Sequence, residues 1–162
     1  MKLHFEWQAP LMLAKNKKII VTDEGLKKIL DIPGVYFFAR KFGATSQPFY
    51  IGETLNLRSR LKNHLSTVKI VDILRGMKVR DAPEISNGHR LFHFAYLDAK
   101  KNKSNTKKAL RIAQKFMIRE AIAANLPLLN SKLTVIKTHS LTFSGKHGKS
   151  RFFEKENSVA IE

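Results

Sequence analysis

The chain has 162 residues, with 30 lysines and arginines against 13 aspartates and glutamates, which gives a formal charge of +17. Hydrophobic residues make up 43% of the chain, so its composition excludes intrinsic disorder and suits one domain with a packed core. No apolar run reaches the ~18 residues that a membrane span needs, and there is no cysteine for a disulfide or a thiolate zinc site. We therefore expect a cytoplasmic, intracellular protein with a polyanionic partner, which could be nucleic acid, an anionic membrane face or a polyanionic protein.

The first 33 residues are expected to form an extension that packs on the core. They contain a strand-like segment at 18–21 and a short helix that begins at Thr22 or Asp23. A basic cluster at 15–18 follows Glu6 and Pro10, a pattern unlike a signal peptide.

Residues 34–131 carry the predicted core of the fold. Aromatic and β-branched residues predict a hairpin with strands at 34–39 and 49–52, and a third strand is predicted at 91–97. Asn56 is a good N-cap for a helix with an apolar stripe of Leu57, Leu61, Leu65 and Val68. The region between Gly76 and Gly88 is expected to be irregular. These elements predict an α/β domain of the α+β type, with a small three-stranded antiparallel sheet flanked by helices.

The longest predicted helix begins at Asn105 or Thr106 and ends near Asn125. On a helical wheel, one apolar face contains Ala109, Ala113, Phe116, Met117 and Ala124, and Glu120 falls in its middle. An unpaired carboxylate is costly on a core-facing stripe, so Glu120 is expected to find a cation, an arginine or a metal. Residues 132–162 are expected to form a basic C-terminal extension with one or two short strands, from patterns at 133–135, 141–143 and 159–161.

The order of the motifs resembles that of the GIY-YIG nuclease superfamily. A strand with Gly34-Val35-Tyr36 precedes one with Tyr50-Ile51-Gly52, and the following link places Arg60 eight residues past the glycine and His64 four residues later. A glutamate on a later helix and a Pro127-Leu128-Leu129-Asn130 ending continue the pattern. One triplet alone occurs by chance in many strands, whereas the ordered set, which spans about residues 34–130, is specific.

The resemblance implies a metal-dependent endonuclease. It makes Tyr36 the general base, with Tyr50 nearby and His64 assisting in orientation or proton relay, although either Tyr36 or His64 could accept the proton. Glu120 would hold one Mg²⁺ or Mn²⁺ ion, since Mg²⁺ typically uses one or two protein carboxylates and keeps several waters. Arg60 would clamp the phosphate. The substrate-binding residues are expected to be Arg58, Lys62 and Asn130.

The metal position has an alternative within the same helix. In many family members the metal-binding glutamate precedes the final asparagine by about a dozen residues, a count that reaches Ile118 instead of Glu120. Glu120 is the only acidic residue between Ala99 and Phe153, which favours Glu120. Glu120 could also pair with a neighbouring lysine or arginine. Similarly, the tyrosines could be ordinary strand aromatics, Arg60 a solvated arginine and His64 a residue at the edge of the core.

The predicted activity is hydrolysis of double-stranded DNA by a restriction-like or accessory stand-alone nuclease. Two other classes stay open: a catalytically inactive module that binds DNA or RNA on a nuclease-like fold, and a basic ribosome-associated RNA-binding protein. A homodimer on a palindromic site would give each strand its own active site. Affinity should fall with salt if a group of lysines contacts phosphates, namely Lys100, Lys101, Lys103, Lys107 and Lys108.

Overall fold

The computed structural model describes residues 2–101 and 105–130, together with the backbone of two strands at 137–142 and 156–161. In chain order the described elements are β1 (Phe5–Trp7), β2 (Leu11–Lys15), β3 (Lys18–Ile19), α1 (Asp23–Lys27), β4 (Gly34–Phe42), β5 (Thr45–Thr54), α2 (Leu57–Leu65), α3 (Val68–Leu74), β6 (His89–Leu97), α4 (Thr106–Ala123), β7 (Lys137–Thr142) and β8 (Glu156–Ile161). They form an α+β fold.

The main sheet is antiparallel and larger than the sequence predicted. The described strands follow the order β3-β2-β6-β4-β5, and β1 also pairs with β6, which makes six strands. The predicted hairpin and third strand are its β5, β4 and β6. The prediction of three strands was wrong because β1 and β2 are short and do not alternate clearly. They nevertheless cover the edge of β6 that β4 leaves open.

Local sequence signals fixed several element boundaries. The hydroxyl of Thr22 accepts a hydrogen bond from the Gly25 amide at 3.2 Å and caps α1, and Asn105 accepts one from Lys108 at 3.2 Å and caps α4. The helix after Asn56 begins as predicted but ends at Leu65. Val68, expected at the end of its apolar stripe, opens α3 instead and is 74% exposed.

The prediction of short strands near the C-terminus is confirmed where the structure describes the chain. Strands β7 and β8 pair antiparallel as a separate two-stranded sheet. They include most of the predicted segment at 141–143 and all of that at 159–161. The predicted segment at 133–135 and Lys103 lie outside the described residues.

The main sheet divides the core into two layers, because neighbouring side chains of a strand point to opposite faces. Tyr36, Phe38 and Phe92 pack with residues of α2 and α3 on one face. On the other face, Val35 and Ile51 pack against α4. We call these the α2 face and the α4 face.

The buried side of α4 differs from the helical-wheel prediction. Its buried residues are Ala109, Leu110, Ile118 and Ala121, whereas Phe116, Glu120 and Ala124 are exposed. Both sets have helical spacing, so periodicity alone could not choose between them. Contact with Val35 and Ile51 of the sheet selects the first set. The prediction that Glu120 lies on the core-facing side was therefore wrong.

Arg90 of β6 is buried, with 2% of its surface exposed. Its guanidinium donates hydrogen bonds to the carbonyl oxygens of Ile73 at 3.2 Å and Ser86 at 3.0 Å, and further ones to Ile85 and Gly88. Burial lowers the pKa of Arg90. The side chain thus joins the end of α3 to the irregular segment before β6.

Within the described ranges, none of the helices combines the length and apolar character that crossing a membrane requires.

Candidate functional site

The two glycines of the paired strand motifs are required by close packing. A Cβ atom on Gly52 would overlap the ring and hydroxyl of Tyr36. A Cβ atom on Gly34 would overlap the carbonyl oxygen of Ala95 and the side chain of Leu57. The absence of a side chain at these positions lets the Tyr36 phenol lie flat on β5 and lets α2 approach β4.

The Tyr36 hydroxyl is hydrogen-bonded to two other predicted site residues, Arg60 and His64. Tyr36 is 0% exposed, and its oxygen lies 2.7 Å from Nε2 of His64. The Nε of Arg60 donates a hydrogen bond to the same oxygen at 3.1 Å. Arg60 and His64 are four residues apart on α2, so one helix turn presents both to the hydroxyl.

Burial sets the direction of hydrogen bonding in this group. It raises the pKa of Tyr36, and the hydrogen bond from Arg60 only partly offsets the effect, so the phenol stays protonated. Burial, together with the charge of Arg60, lowers the pKa of His64 to about 4, so its ring is neutral near pH 7. With Arg60 donating to the Tyr36 oxygen, we assign the phenol proton to the bond with His64 Nε2, which places the imidazole proton on Nδ1.

Tyr50 completes the cluster at the surface. It is half-buried, and its ring centroid lies 6.4 Å from that of Tyr36 and 5.1 Å from that of His64. Tyr36 is thus the buried partner of Arg60, while Tyr50 and Arg60 both line the surface cleft described next. The structure brings together four predicted site residues: Tyr36, Tyr50, Arg60 and His64.

A cleft of about 310 Å³ opens above this cluster. Its polar lining consists of Tyr50, Arg60, Asn63, His64, Thr67 and Lys69. Asn63, Thr67 and Lys69 were not predicted as site residues. The missed signal was the break between α2 and α3 near Thr67, which turns the start of α3 back towards the cleft.

Two predicted substrate-binding residues do not line this cleft. Lys62 is exposed on α2. Arg58 is half-buried, and its charge helps to lower the pKa of Asp31, after the larger effect of hydrogen bonds from Ser59. Those bonds, from the Ser59 amide at 2.9 Å and its hydroxyl at 2.5 Å, tie the first turn of α2 to the turn before β4.

The side-chain amide of Asn130 binds the backbone of β5. Its oxygen accepts a hydrogen bond from the Ile51 amide at 2.9 Å, and its nitrogen donates to the Ile51 carbonyl at 2.6 Å. Gln114 of α4 donates to that carbonyl at 3.3 Å, and the Leu129 amide donates to Phe49 at 2.7 Å. Asn130 was expected to bind substrate, but here it closes the outer edge of β5.

The cleft does not offer the ligands that a hard divalent cation prefers. Its six polar lining residues include no carboxylate, and Glu120 is exposed on the helix that covers the α4 face, opposite the Tyr36 hydroxyl. In the part of the chain that the structure describes, no three His, Cys, Asp or Glu residues are grouped as metal ligands. The acidic residue whose charge contributes to the raised pKa of Tyr36 is Glu53, next to Gly52. The donor set at the cleft thus does not fit the predicted ion.

Comparison with known proteins adds no family to this description. No family model, no curated protein and no solved structure matches the chain. The resemblance to GIY-YIG nucleases rests on the motifs in the sequence.

Proposed function

We propose that this chain hydrolyses phosphodiester bonds of DNA at the cleft between β5 and α2, as a GIY-YIG-type endonuclease. The observation that carries the proposal is the single cluster at that cleft, in which hydrogen bonds join Tyr36 to Arg60 and His64 and the ring of Tyr50 packs beside them. These residues come from two strands and a helix, and the motif order predicted that they would act together.

Arg60 is the proposed phosphate ligand. Its Nε donates to the Tyr36 hydroxyl, and this bond holds the guanidinium beside the cleft. A planar guanidinium suits two phosphate oxygens and stabilises the negative charge that gathers on them in the transition state. Lys69 adds a second positive charge to the lining.

The two tyrosines receive different roles. Tyr36 is enclosed and keeps its proton, so it acts as a positioning residue for Arg60 and His64. Tyr50 lines the cleft, and a phosphate or a water there can contact its hydroxyl. This assignment departs from the general-base role that the resemblance implies for Tyr36.

A second function, nucleic-acid binding without hydrolysis, has specific support. The cleft lining contains arginine and lysine but no carboxylate, and the Tyr36 hydroxyl is fully enclosed. Such a surface can hold a phosphate backbone without activating a water.

Supercoiled plasmid separates the two functions. We expect the wild-type protein to nick it, and parallel reactions in Mg²⁺, Mn²⁺ and EDTA measure whether nicking requires a metal ion. Arg60→Gln should lower the nicking rate by about 100-fold or more, as expected when one transition-state donor is lost. Lys28→Gln, which removes one exposed charge at the end of α1, is the matched control and should nick like wild type.

Three outcomes would change or narrow the proposal. Plasmid that is retarded in a gel but never cut with any divalent ion would make the chain a binding module. Loss of nicking in Glu120→Gln with unchanged folding would assign the metal to Glu120, and full activity in that variant would remove Glu120 from the site.

A further inference from the structure

Three aromatic side chains form a contiguous surface on the α4 face, away from the cleft. The Trp7 ring meets Phe37 edge to face with 5.6 Å between centroids, and Phe37 stacks on His93 at 4.5 Å with an interplanar angle of 10°. Trp7 is 52% exposed. We call Trp7, Phe37 and His93 the aromatic surface.

The sheet and α4 hold this surface in place from below. Phe37 and His93 are paired residues of β4 and β6, and Trp7 lies on β1, opposite Ala95 of β6. Phe37 also packs against the cluster of Ile51, Ile118 and Ala121. The Nε2 of His93 lies 3.1 Å from the Ser46 hydroxyl, which fixes the orientation of the imidazole. The rings are therefore ordered before any partner arrives.

Basic residues outnumber acidic ones on the elements that carry and adjoin the aromatic surface, although Glu6 lies next to Trp7 on β1. Lys41 is exposed on β4, and its charge, after the larger effect of burial, lowers the pKa of His93. The imidazole is thus a neutral aromatic ring near pH 7. The adjoining helix α4 carries a single acidic residue, Glu120, against five basic residues: Lys107, Lys108, Arg111, Lys115 and Arg119.

We infer that the aromatic surface binds a single-stranded segment of nucleic acid, with an unpaired base stacked on Trp7 and the backbone along Lys41 and the basic side of α4. Aromatic side chains beside a positive track are the means by which proteins hold unpaired bases without sequence preference. A duplex hides its base faces, and a neutral apolar peptide would gain nothing from the surrounding charge. The inference takes from the proposed function only that the partner is nucleic acid.

Trp7 provides the test, because it is the only tryptophan in the chain. The full-length protein is titrated in EDTA, to prevent hydrolysis, with an end-labelled oligothymidylate of about 12 nucleotides. We expect the oligonucleotide to quench Trp7 fluorescence, and a blunt duplex of equal length to quench it far less. Label anisotropy should show about 5- to 100-fold weaker binding for Trp7→Ala, in line with the loss of one stacked base, and near wild-type binding for Trp7→Phe.

A matched control uses Phe42, an exposed aromatic of β4 that lies five residues after Phe37 and therefore on the opposite face of the sheet. Phe42→Ala should bind like wild type. The inference is overturned if the oligonucleotide does not bind, if it binds without quenching Trp7, or if Trp7→Ala and Phe42→Ala weaken binding equally. Trp7→Phe distinguishes lost stacking from misfolding, because it keeps the ring.

Failure of this inference and failure of the proposed function are distinguishable. Plasmid nicking without Trp7 quenching would remove the aromatic surface and leave the nuclease proposal. Trp7 quenching without plasmid nicking would support the role of the aromatic surface and contradict the nuclease proposal.

Discussion

The two faces of strand β5 carry opposite kinds of structure within three consecutive residues. The Tyr50 side chain lies on the α2 face, where Gly52 leaves room for the Tyr36 ring. Hydrogen bonds join buried polar groups around the Tyr36 hydroxyl on this face. Ile51 points to the α4 face and packs against Ile118 and Ala121. The difference teaches that the candidate site and the apolar packing around residues 50–52 can be altered separately, because the site depends on α2 and the packing depends on α4.

The largest effect is expected on the apolar side, from Ile118→Ala. This change removes a fully buried side chain from its contact with Ile51 and should lower the free energy of unfolding by about 2–5 kcal/mol. Urea unfolding measures it. Glu120→Ala, two residues along the same helix but exposed, should change stability by about 0.5 kcal/mol or less. Equal losses of stability in the two variants would contradict the observed orientation of α4 and support the one predicted from the helical wheel.

On the polar side, Gly52→Ala would drive a methyl group into the buried Tyr36 phenol. We expect a loss of about 1–3 kcal/mol, as for overpacking of a dense core, together with loss of nicking. Thermal unfolding and the plasmid assay measure the two effects. Gly25→Ala is the control, since a Cβ there meets its nearest atom, in Leu11, at 3.4 Å. A variant Gly52→Ala as stable as wild type would contradict the close approach of Tyr36 to β5.

Asn130→Ala tests whether the outer edge of β5 depends on one side chain. Loss of its hydrogen bonds to Ile51 leaves the Ile51 amide without the Asn130 oxygen and should cost about 1–2 kcal/mol of stability. Asn63→Ala, at the cleft and exposed, should leave the unfolding midpoint unchanged. If Asn130→Ala instead keeps full stability and loses DNA affinity, Asn130 binds substrate as the sequence suggested.

The smallest effect is the pH dependence contributed by His64. Its pKa is about 4 in the folded chain against an ordinary value of 6.5, so the unfolded chain takes up a proton first as the pH falls. Stability from the neutral ring is complete above about pH 6.5 and is lost as the pH falls through about 4. We expect His64→Gln to flatten the decline of the melting temperature across this window by a few degrees. His93→Gln, which removes a half-buried imidazole from the other face of the sheet, is the comparison, and an unchanged slope in His64→Gln would contradict the assignment.

The candidate cluster was predictable because its geometry is local. Arg60 and His64 are four residues apart on one helix, and Tyr36 and Tyr50 lie on adjacent strands of one hairpin. The orientation of α4 was not predictable in this way. Two apolar stripes competed along that helix, and only contact with the sheet chose the one containing Ile118.

The size of the sheet and the position of Asn130 could not be predicted from the sequence either, because both depend on contacts between residues that are distant along the chain. Strands β1 and β2 are defined by their partner β6, since neither alternates clearly by itself. Asn130 pairs with Ile51, 79 residues away, and no local pattern marks that contact. The proposed role of Trp7 likewise depends on its contact with Phe37, which is distant in sequence.

Arg90 shows that one positive charge of this basic protein serves the interior. Carbonyl dipoles, which do not titrate, surround its guanidinium and satisfy it. Added salt weakens the attraction between exposed lysines and phosphates. It has much less effect on a buried contact such as that of Arg90. The irregular segment before β6 should therefore keep its conformation at ionic strengths that release nucleic acid. Salt can then be used to dissociate a bound strand while the domain stays folded.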